Sequence, residues 1–289
     1  MMEDTLRAKL AEYEPANTVD QENVLAEILQ HFILASLGRA GFFKEAMFHG
    51  GTCLRIVHGM NRFSEDLDFL LNKPNPEFAW KTYLDAASKD CAAEGIQLEI
   101  RDRSAADTTV KKAFLKTDSI GKVVLLDLPH ARHPHSKLRI KLEIDSNPPA
   151  GSVRETHYIT FPTTVAISTQ TLESGFATKS HALLCRKYTK GRDWYDFIWY
   201  VSRKTAPDYL LLSNALEQQG PWAGQGVEVT PEWYLENMRE QIKRVDWEAA
   251  RRDVERFVYA SEQEGLALWC TDFFLYHVDK LSTLLKEGK

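Results

Sequence analysis

The stretch Phe48–Leu70, FHGGTCLRIVHGMNRFSEDLDFL, constrains this chain's fold more than any other. A short apolar run, Ala46-Met47-Phe48, reads as the end of a buried strand, and Gly50-Gly51 follows, where the backbone can adopt dihedrals closed to other residues. Thr52 to His58 carries helical spacing, with Leu54 and Val57 on one side and Gly59 as the C′ residue that ends it. The chain then returns as a strand in which Asp66 and Asp68 alternate with Leu67 and Phe69. Period-2 alternation puts both carboxylates on one face and both apolar side chains on the other. Strand, glycine turn, short helix and acidic strand together present a phosphate-sized turn beside two convergent carboxylates. That is the equipment of a metal-dependent phosphoryl or nucleotidyl transferase, because Mg²⁺ is held by a few carboxylates together with substrate phosphates.

The rest of the chain sorts into two parts. Helices are expected at 3–13, at 20–38 with Asp20 as N-cap and Gly38 and Gly41 closing it, and at 78–94 ending at Gly95. Strands are expected at 44–49, 96–101, 111–115, 123–128, 138–144 and 156–161. Residues 1–165 therefore read as an α+β domain, a mixed or antiparallel sheet with helices to one side. Beyond Pro162 the pattern turns helical (171–187, 193–203, 207–218, 231–243, 247–259 and 266–286). Residues 166–289 form a second, α-helical domain, joined through an ordered, β-branched 164–168.

Composition excludes several classes. The 289 residues carry a net charge of −5, with 44% hydrophobic and 27% charged residues, the mix of an ordinary soluble protein. No global nucleic-acid signature is present, so any such surface is a local patch. No apolar run is long enough to span a membrane, and the N-terminus is too polar for a signal peptide. Four cysteines without C-x-x-C spacing argue against zinc or disulfide frameworks and fit a reducing cytoplasm.

Two further stretches can carry chemistry. In Lys137–Asp145, KLRIKLEID, the alternating Leu138, Ile140, Leu142 and Ile144 face the core. Lys137, Arg139, Lys141, Glu143 and Asp145 share the other face. A third carboxylate here would complete a metal site and take the proton from an incoming hydroxyl, and periodicity does not choose between Glu143 and Asp145. The plainer reading is a solvated charged face. In Ala177–Asp196, Lys179 and Arg186 lie two helical turns apart, suited to gripping a triphosphate, with Lys187 nearby. Asp193 and Asp196 either orient those cations or cap the next helix; a surface ion-pair network is the bland alternative. His130, His133 and His135 in LPHARHPH match no zinc spacing. His49 and His58 read as polar packing. The tryptophans read as helical core rather than a base-stacking platform.

The ordered set HGGTCLR, RFSEDLDF, KLEID and ATKSHALLCRKYTKGRDWYDFIWY resembles the AbiEii/AbiGii-type nucleotidyltransferase toxins of bacterial toxin–antitoxin systems, over about residues 45–200. The resemblance implies a DNA polymerase β-like nucleotidyltransferase core followed by a helical domain that contributes to the nucleotide site. It assigns triphosphate and metal binding to Gly50, Gly51, Asp66 and Asp68; Thr52 and Ser64 beside them are further candidates for nucleotide binding. It favours Glu143 as the third acid, places Lys179 and Arg186 at the nucleotide, and matches Arg192, Asp193 and Asp196 to an R-D-h-x-D element. The third acid is Glu where Asp is also seen, and Cys185–Arg192 carries extra basic residues. The implied reaction is transfer of NMP from an NTP, with Mg²⁺ or Mn²⁺, to an acceptor that in some members is the tRNA 3′ end. An antitoxin encoded nearby is the implied partner. Ser64, beside the metal strand, is a candidate control point, since a phosphate there would repel the triphosphate. The rival expectations are a small-molecule or protein nucleotidyltransferase using the same core, and a nucleotide-binding module without turnover.

Overall fold

A computed structural model describes residues 8–102, 110–117 and 138–287. The chain divides into two units, Met1–Pro148 with Glu155–Thr169, and Pro149–Arg154 with Gln170–Lys289.

The first unit is built on a long helix and a seven-stranded sheet. Helix α1 (Thr18–Arg39) begins at Asn17, whose side chain accepts the Asp20 N–H. Asp20 is therefore not the N-cap. It lies in the first turn and returns its own carboxylate to the Asn17 amide and the Ala16 N–H, a reciprocal arrangement like a capping box. Gly38 lies inside the helix, and Gly41 (φ 80°) turns the chain beyond it. α1 is buried nearly all round, so its polar residues are engaged rather than solvated. Glu27 pairs with Arg55 at 2.9 Å, and Ser36 donates to Asp90 at 2.8 Å.

The strands are β1 (Ala46–His49), β2 (Asp66–Leu71), β3 (Glu99–Asp102), β4 (Val110–Thr117), β5 (Leu138–Asp145), β6 (Arg154–Ile159) and β7 (Val165–Gln170). Between β1 and β2 runs helix α2 (Gly50–Ile56), and α3 (Lys81–Ala93) follows β2. The sheet order is β3-β4-β5-β2-β1-β7-β6, with β2 antiparallel to β1 and parallel to β5. This is the mixed sheet the sequence predicts. One face is apolar: Leu67, Phe69, Ile140, Leu142 and Ile144 are at most 1% exposed, and α1 packs against both α3 and β5. Phe42 and Phe48 close edge-to-face and tilted contacts on Phe69, at 4.9 and 5.5 Å. The acidic residues of β2 and β5 lie on the opposite face. The strand expected at 123–128 and the LPHARHPH segment lie outside the described residues.

The second unit is helical: α4 (Leu172–Cys185), α5 (Gly191–Ser202), α6 (Tyr209–Gln218), α7 (Pro231–Lys243), α8 (Trp247–Glu255) and α9 (Thr271–Glu287), with a 3₁₀ segment at Ala260–Leu268. α4 packs on α5, α6 and α7, while α5 packs on α8 and α9. Trp194 is 2% exposed, lying edge-on to Trp247 and Phe274, so it is core rather than a stacking surface. No described helix is long and apolar enough to cross a membrane.

Candidate active site

The register of three strands assembles the acidic cluster. On β1 and β2, His49 sits opposite Asp68, so the acidic strand ends level with the glycine turn that follows His49. On β2 and β5, Asp66 is level with Lys141, Asp68 with Glu143, and Leu70 with Asp145. Paired residues on neighbouring strands lie about 4.8 Å apart and project to the same face. Asp66, Asp68 and Glu143 are accordingly three half-buried carboxylates on two adjacent strands. Asp145 stands one step further along. Its carboxylate accepts the Asn147 N–H at 2.9 Å, and burial pushes its pKa up.

Lys141 is the cation of this group. Its Nζ lies 2.6 Å from Glu143. Burial pulls its pKa down, but the hydrogen bond and charge of Glu143 and the charges of Asp66 and Asp68 outweigh that and hold it above the ordinary lysine value. Lys112, opposite Glu143 on β4, adds a second contact at 3.7 Å. An ammonium among three carboxylates stands in for a divalent ion, and the all-oxygen donor set suits Mg²⁺ or Mn²⁺. The residues present therefore fit such a metal.

The glycine turn is shaped by what surrounds it. Gly50 has φ 79°, and a Cβ there would meet the Asp68 carboxylate oxygen at 2.7 Å. A Cβ at Gly51 would strike the Arg62 guanidinium and approach Ser64 Oγ to 3.0 Å. Both positions require glycine, one for its backbone and both for space. Thr52, fully buried, donates its hydroxyl to the Asp66 carbonyl and so ties α2 to the start of the acidic strand. Gln30 of α1 donates to the carbonyls of Ser64 and Glu65, at 2.9 and 3.1 Å. Arg55 donates to the carbonyls of Met60 and Asn61, at 3.0 and 2.7 Å.

Arg62 and Gln30 are the residues that sequence reasoning missed. Arg62 is 2% exposed and lies against the glycine turn, donating to the Phe63 carbonyl at 2.8 Å. The only sequence signal for it is an arginine inside the short connector between Gly59 and the acidic strand. Gln30 had a signal too, as a polar residue inside the apolar spacing of α1.

The second unit carries the other group of predicted residues. Lys179 Nζ lies 2.8 Å from both Asp193 and Asp196, and Arg186 lies 3.4 Å from Asp193. Asp193 is not a helix cap. It sits in the first turn of α5 with Lys190 as the N-cap residue. Burial opposes ionisation of Asp193, but Lys179, Arg186 and Lys190 overcome it and bring its pKa down to about 2. Arg186 does not share a helical face with Lys179. α4 ends at Cys185, and Arg186 leaves it with extended backbone (φ −73°, ψ 132°). Its guanidinium then lies over the Tyr188 ring. Arg186, Lys187, Lys190 and Arg244 line one cleft of about 220 Å³, with Asp193 its one acidic wall residue. Burial and the neighbouring cations hold the Lys190 pKa down, although Asp193 opposes them. Such a cleft favours an anion.

Comparison with known proteins places the whole chain. The model of the family described as "Nucleotidyl transferase AbiEii toxin, Type IV TA system" matches residues 32–266. No curated protein matches the sequence significantly. A protein from H. pylori assigned as a nucleotidyltransferase has a similar fold, with a TM-score of 0.51 and 17% identity over 90% of this chain and 92% of its own. JHP933 from Helicobacter pylori is similar at a TM-score of 0.53 and 18% identity, over 92% and 94% of the two chains. At such identities the two structures speak for the fold. The family match spans well over half of the sequence, and the chain belongs to the AbiEii nucleotidyltransferase toxins of type IV toxin–antitoxin systems.

Proposed function

We propose that this nucleotidyltransferase moves a nucleoside monophosphate from an NTP to the 3′ end of a tRNA, in a reaction that requires Mg²⁺ or Mn²⁺. The observation that carries the reading is the register that sets Asp68 level with Glu143, with Asp66 two residues before it and the glycine turn beside it. Asp66, Asp68 and Glu143 would hold the metal, which when bound would supply charge neutralisation at the triphosphate and a more acidic attacking hydroxyl. Glu143 is favoured over Asp145 because Asp145 sits a step away, is tied to Asn147 and is harder to ionise.

The remaining roles belong to the chain itself. The backbone at Gly50–Thr52 and the hydroxyl of Ser64 receive the phosphates, which approach where no Cβ intrudes. The acceptor hydroxyl oxygen bonds to the α-phosphorus as the bond to the β-phosphate oxygen breaks. The hydroxyl proton passes to Glu143, and pyrophosphate leaves. In the second unit, Asp193 and Asp196 hold Lys179 in one rotamer, and Lys179 and Arg186 are the cations suited to a polyphosphate. An antitoxin partner follows from the family, and its contact surface is open to experiment.

The test is incubation with each α-³²P-labelled NTP, Mg²⁺ and total bacterial RNA, alongside Asp68→Ala. Label in tRNA with the natural protein and none with the variant is the expected result. Label in a polypeptide or a small molecule instead would keep the transfer and overturn the acceptor. NTP binding without label in any fraction would overturn turnover itself.

A further inference from the structure

A cluster of metal-ligating side chains lies elsewhere in the first unit. His58 follows the C-terminal end of α2, and Glu155 and His157 project from β6. Glu155 and His157 are two apart on a strand and therefore share a face, and β6 is the edge strand of the sheet. The Glu155 and His157 side chains are 35% and 32% exposed. One ligand atom from each of the three residues lies within 4.8 Å of the other two. Glu155 Oε1 is 2.8 Å from His157 Nε2, and the two imidazoles lie edge-to-face with centroids 5.1 Å apart.

We propose that His58, Glu155 and His157 bind a borderline transition-metal ion, Zn²⁺ in the first instance. Zinc bonds of about 2.0–2.2 Å set tetrahedral ligand atoms roughly 3.4 Å apart. The Glu155 Oε1–His157 Nε2 distance of 2.8 Å has to open by only about 0.6 Å to reach that spacing, and rotation of His58 brings in the third ligand. Two imidazole nitrogens and one carboxylate oxygen are the wrong set for Mg²⁺, which takes oxygen, and a suitable one for Zn²⁺. A simple Glu–His pair needs one imidazole, whereas this cluster converges two on one carboxylate. Three protein ligands leave a fourth position for water or an exogenous group. Cys53, nearby on α2, is no competitor, because burial and the Glu155 charge push its thiol pKa far up.

The site is separate from the proposed Mg²⁺ cluster. His58 lies beyond the far end of α2, whose seven residues from Gly50 span about 10 Å at ~1.5 Å per residue. A metal here ties the far end of the helix that begins at the glycine turn to the sheet edge. It thereby stiffens α2 without touching the acids of β2.

The test uses the full chain, stripped with a chelator and titrated with Co²⁺ and then Zn²⁺. The expected result is one equivalent of Co²⁺ giving visible d–d absorption without thiolate charge-transfer bands, displaced by one equivalent of Zn²⁺, which raises the melting temperature. His157→Gln and His58→Gln should each weaken binding about 100-fold or more, since even outer-shell changes cost 10–100-fold. Asp68→Ala, and a variant with His130, His133 and His135 changed to Ala, should keep it. Binding lost in either of those last two proteins, thiolate bands, or binding unchanged in both histidine variants would overturn the site. A natural protein that binds no Co²⁺ or Zn²⁺ at micromolar concentration would reduce the cluster to an ion pair and also overturn it. Because the readouts are metal binding and melting, they stand whether or not the protein transfers nucleotides to tRNA.

Discussion

Replacing Lys179 by methionine isolates what holds the first turn of α5 in place. The ammonium lies 2.8 Å from both Asp193 and Asp196, which are 3% and 0% exposed. Methionine keeps the length and removes the charge, leaving two buried carboxylates beside each other. Breaking a buried pair in this way costs about 3–5 kcal/mol. Arg186 and Lys190 still reach Asp193, which argues for the lower end, about 3 kcal/mol. The natural protein sets the pH frame. Asp193 has a folded pKa of about 2 against 3.8 for a free aspartate, so it contributes about 2 kcal/mol that is present above pH 4 and lost as pH falls through 2. In Lys179→Met the cation that most favours the Asp193 carboxylate is gone, so burial is opposed only by Arg186 and Lys190 and much of that contribution disappears. The variant's deficit is therefore full at neutral pH and shrinks as pH falls toward 2. Six of the seven tryptophans lie in the second unit, so urea unfolding followed by tryptophan fluorescence reports on that unit. Adding Asp193→Asn and Asp196→Asn to the variant should recover more than half the loss. A deficit below about 1 kcal/mol, or one that grows as pH falls, would refute the argument and return the cluster to an ordinary surface ion pair.

Two other predictions concern the first unit. Gly50→Ala should lose nearly all turnover and lower the melting temperature, since φ 79° costs ~1–2 kcal/mol and the new Cβ displaces the Asp68 carboxylate. Gly59→Ala, at φ 71° with nothing within 4 Å, should melt lower by a similar backbone cost yet keep its activity; equal activity in the two variants would refute the role of the Asp68 approach. Lys141→Gln removes the cation among three carboxylates and should lower metal-free stability while tightening Mn²⁺ binding about tenfold, read by electron paramagnetic resonance. Unchanged Mn²⁺ affinity would mean that Lys141 does not occupy the metal's electrostatic place.

The local pattern of the acidic strand was legible because its two periodicities coincide with its environment. Leu67 and Phe69 need the apolar layer, which leaves Asp66 and Asp68 no choice of face. The helical elements of the second unit were legible for the same reason, with bounds off by a few residues. The errors fall where a side chain, rather than a pattern, decides. Asn17 caps α1 in place of Asp20 because its amide can both accept from and donate to the turn. α4 stops at Cys185, short of the expected Lys187, as the chain turns out at Arg186. α1 is buried almost all round, since Glu27, Gln30 and Ser36 each find a polar partner that no periodicity reveals.

What the sequence could not supply is register. Alternation leaves Glu143 and Asp145 equivalent, since both lie on one face of β5. The distinction comes from a strand distant in sequence. Pairing Asp68 with Glu143 also pairs Leu70 with Asp145, so one carboxylate meets the acidic end of β2 and the other meets a leucine. A slip of two residues would keep every apolar side chain on its face, but it would carry Glu143 past Asp68. The first-unit site therefore depends on packing that fixes the strands along their length, and Thr52, bonded to the Asp66 carbonyl, is one of the fixings. The same logic brings Glu155 and His157 to His58. No spacing in the sequence relates residue 58 to residues 155 and 157, yet the edge strand and the end of α2 put a carboxylate and two imidazoles within bonding range of one ion. In both clusters the strand period sets which side chains share a face, and tertiary pairing sets which of them meet.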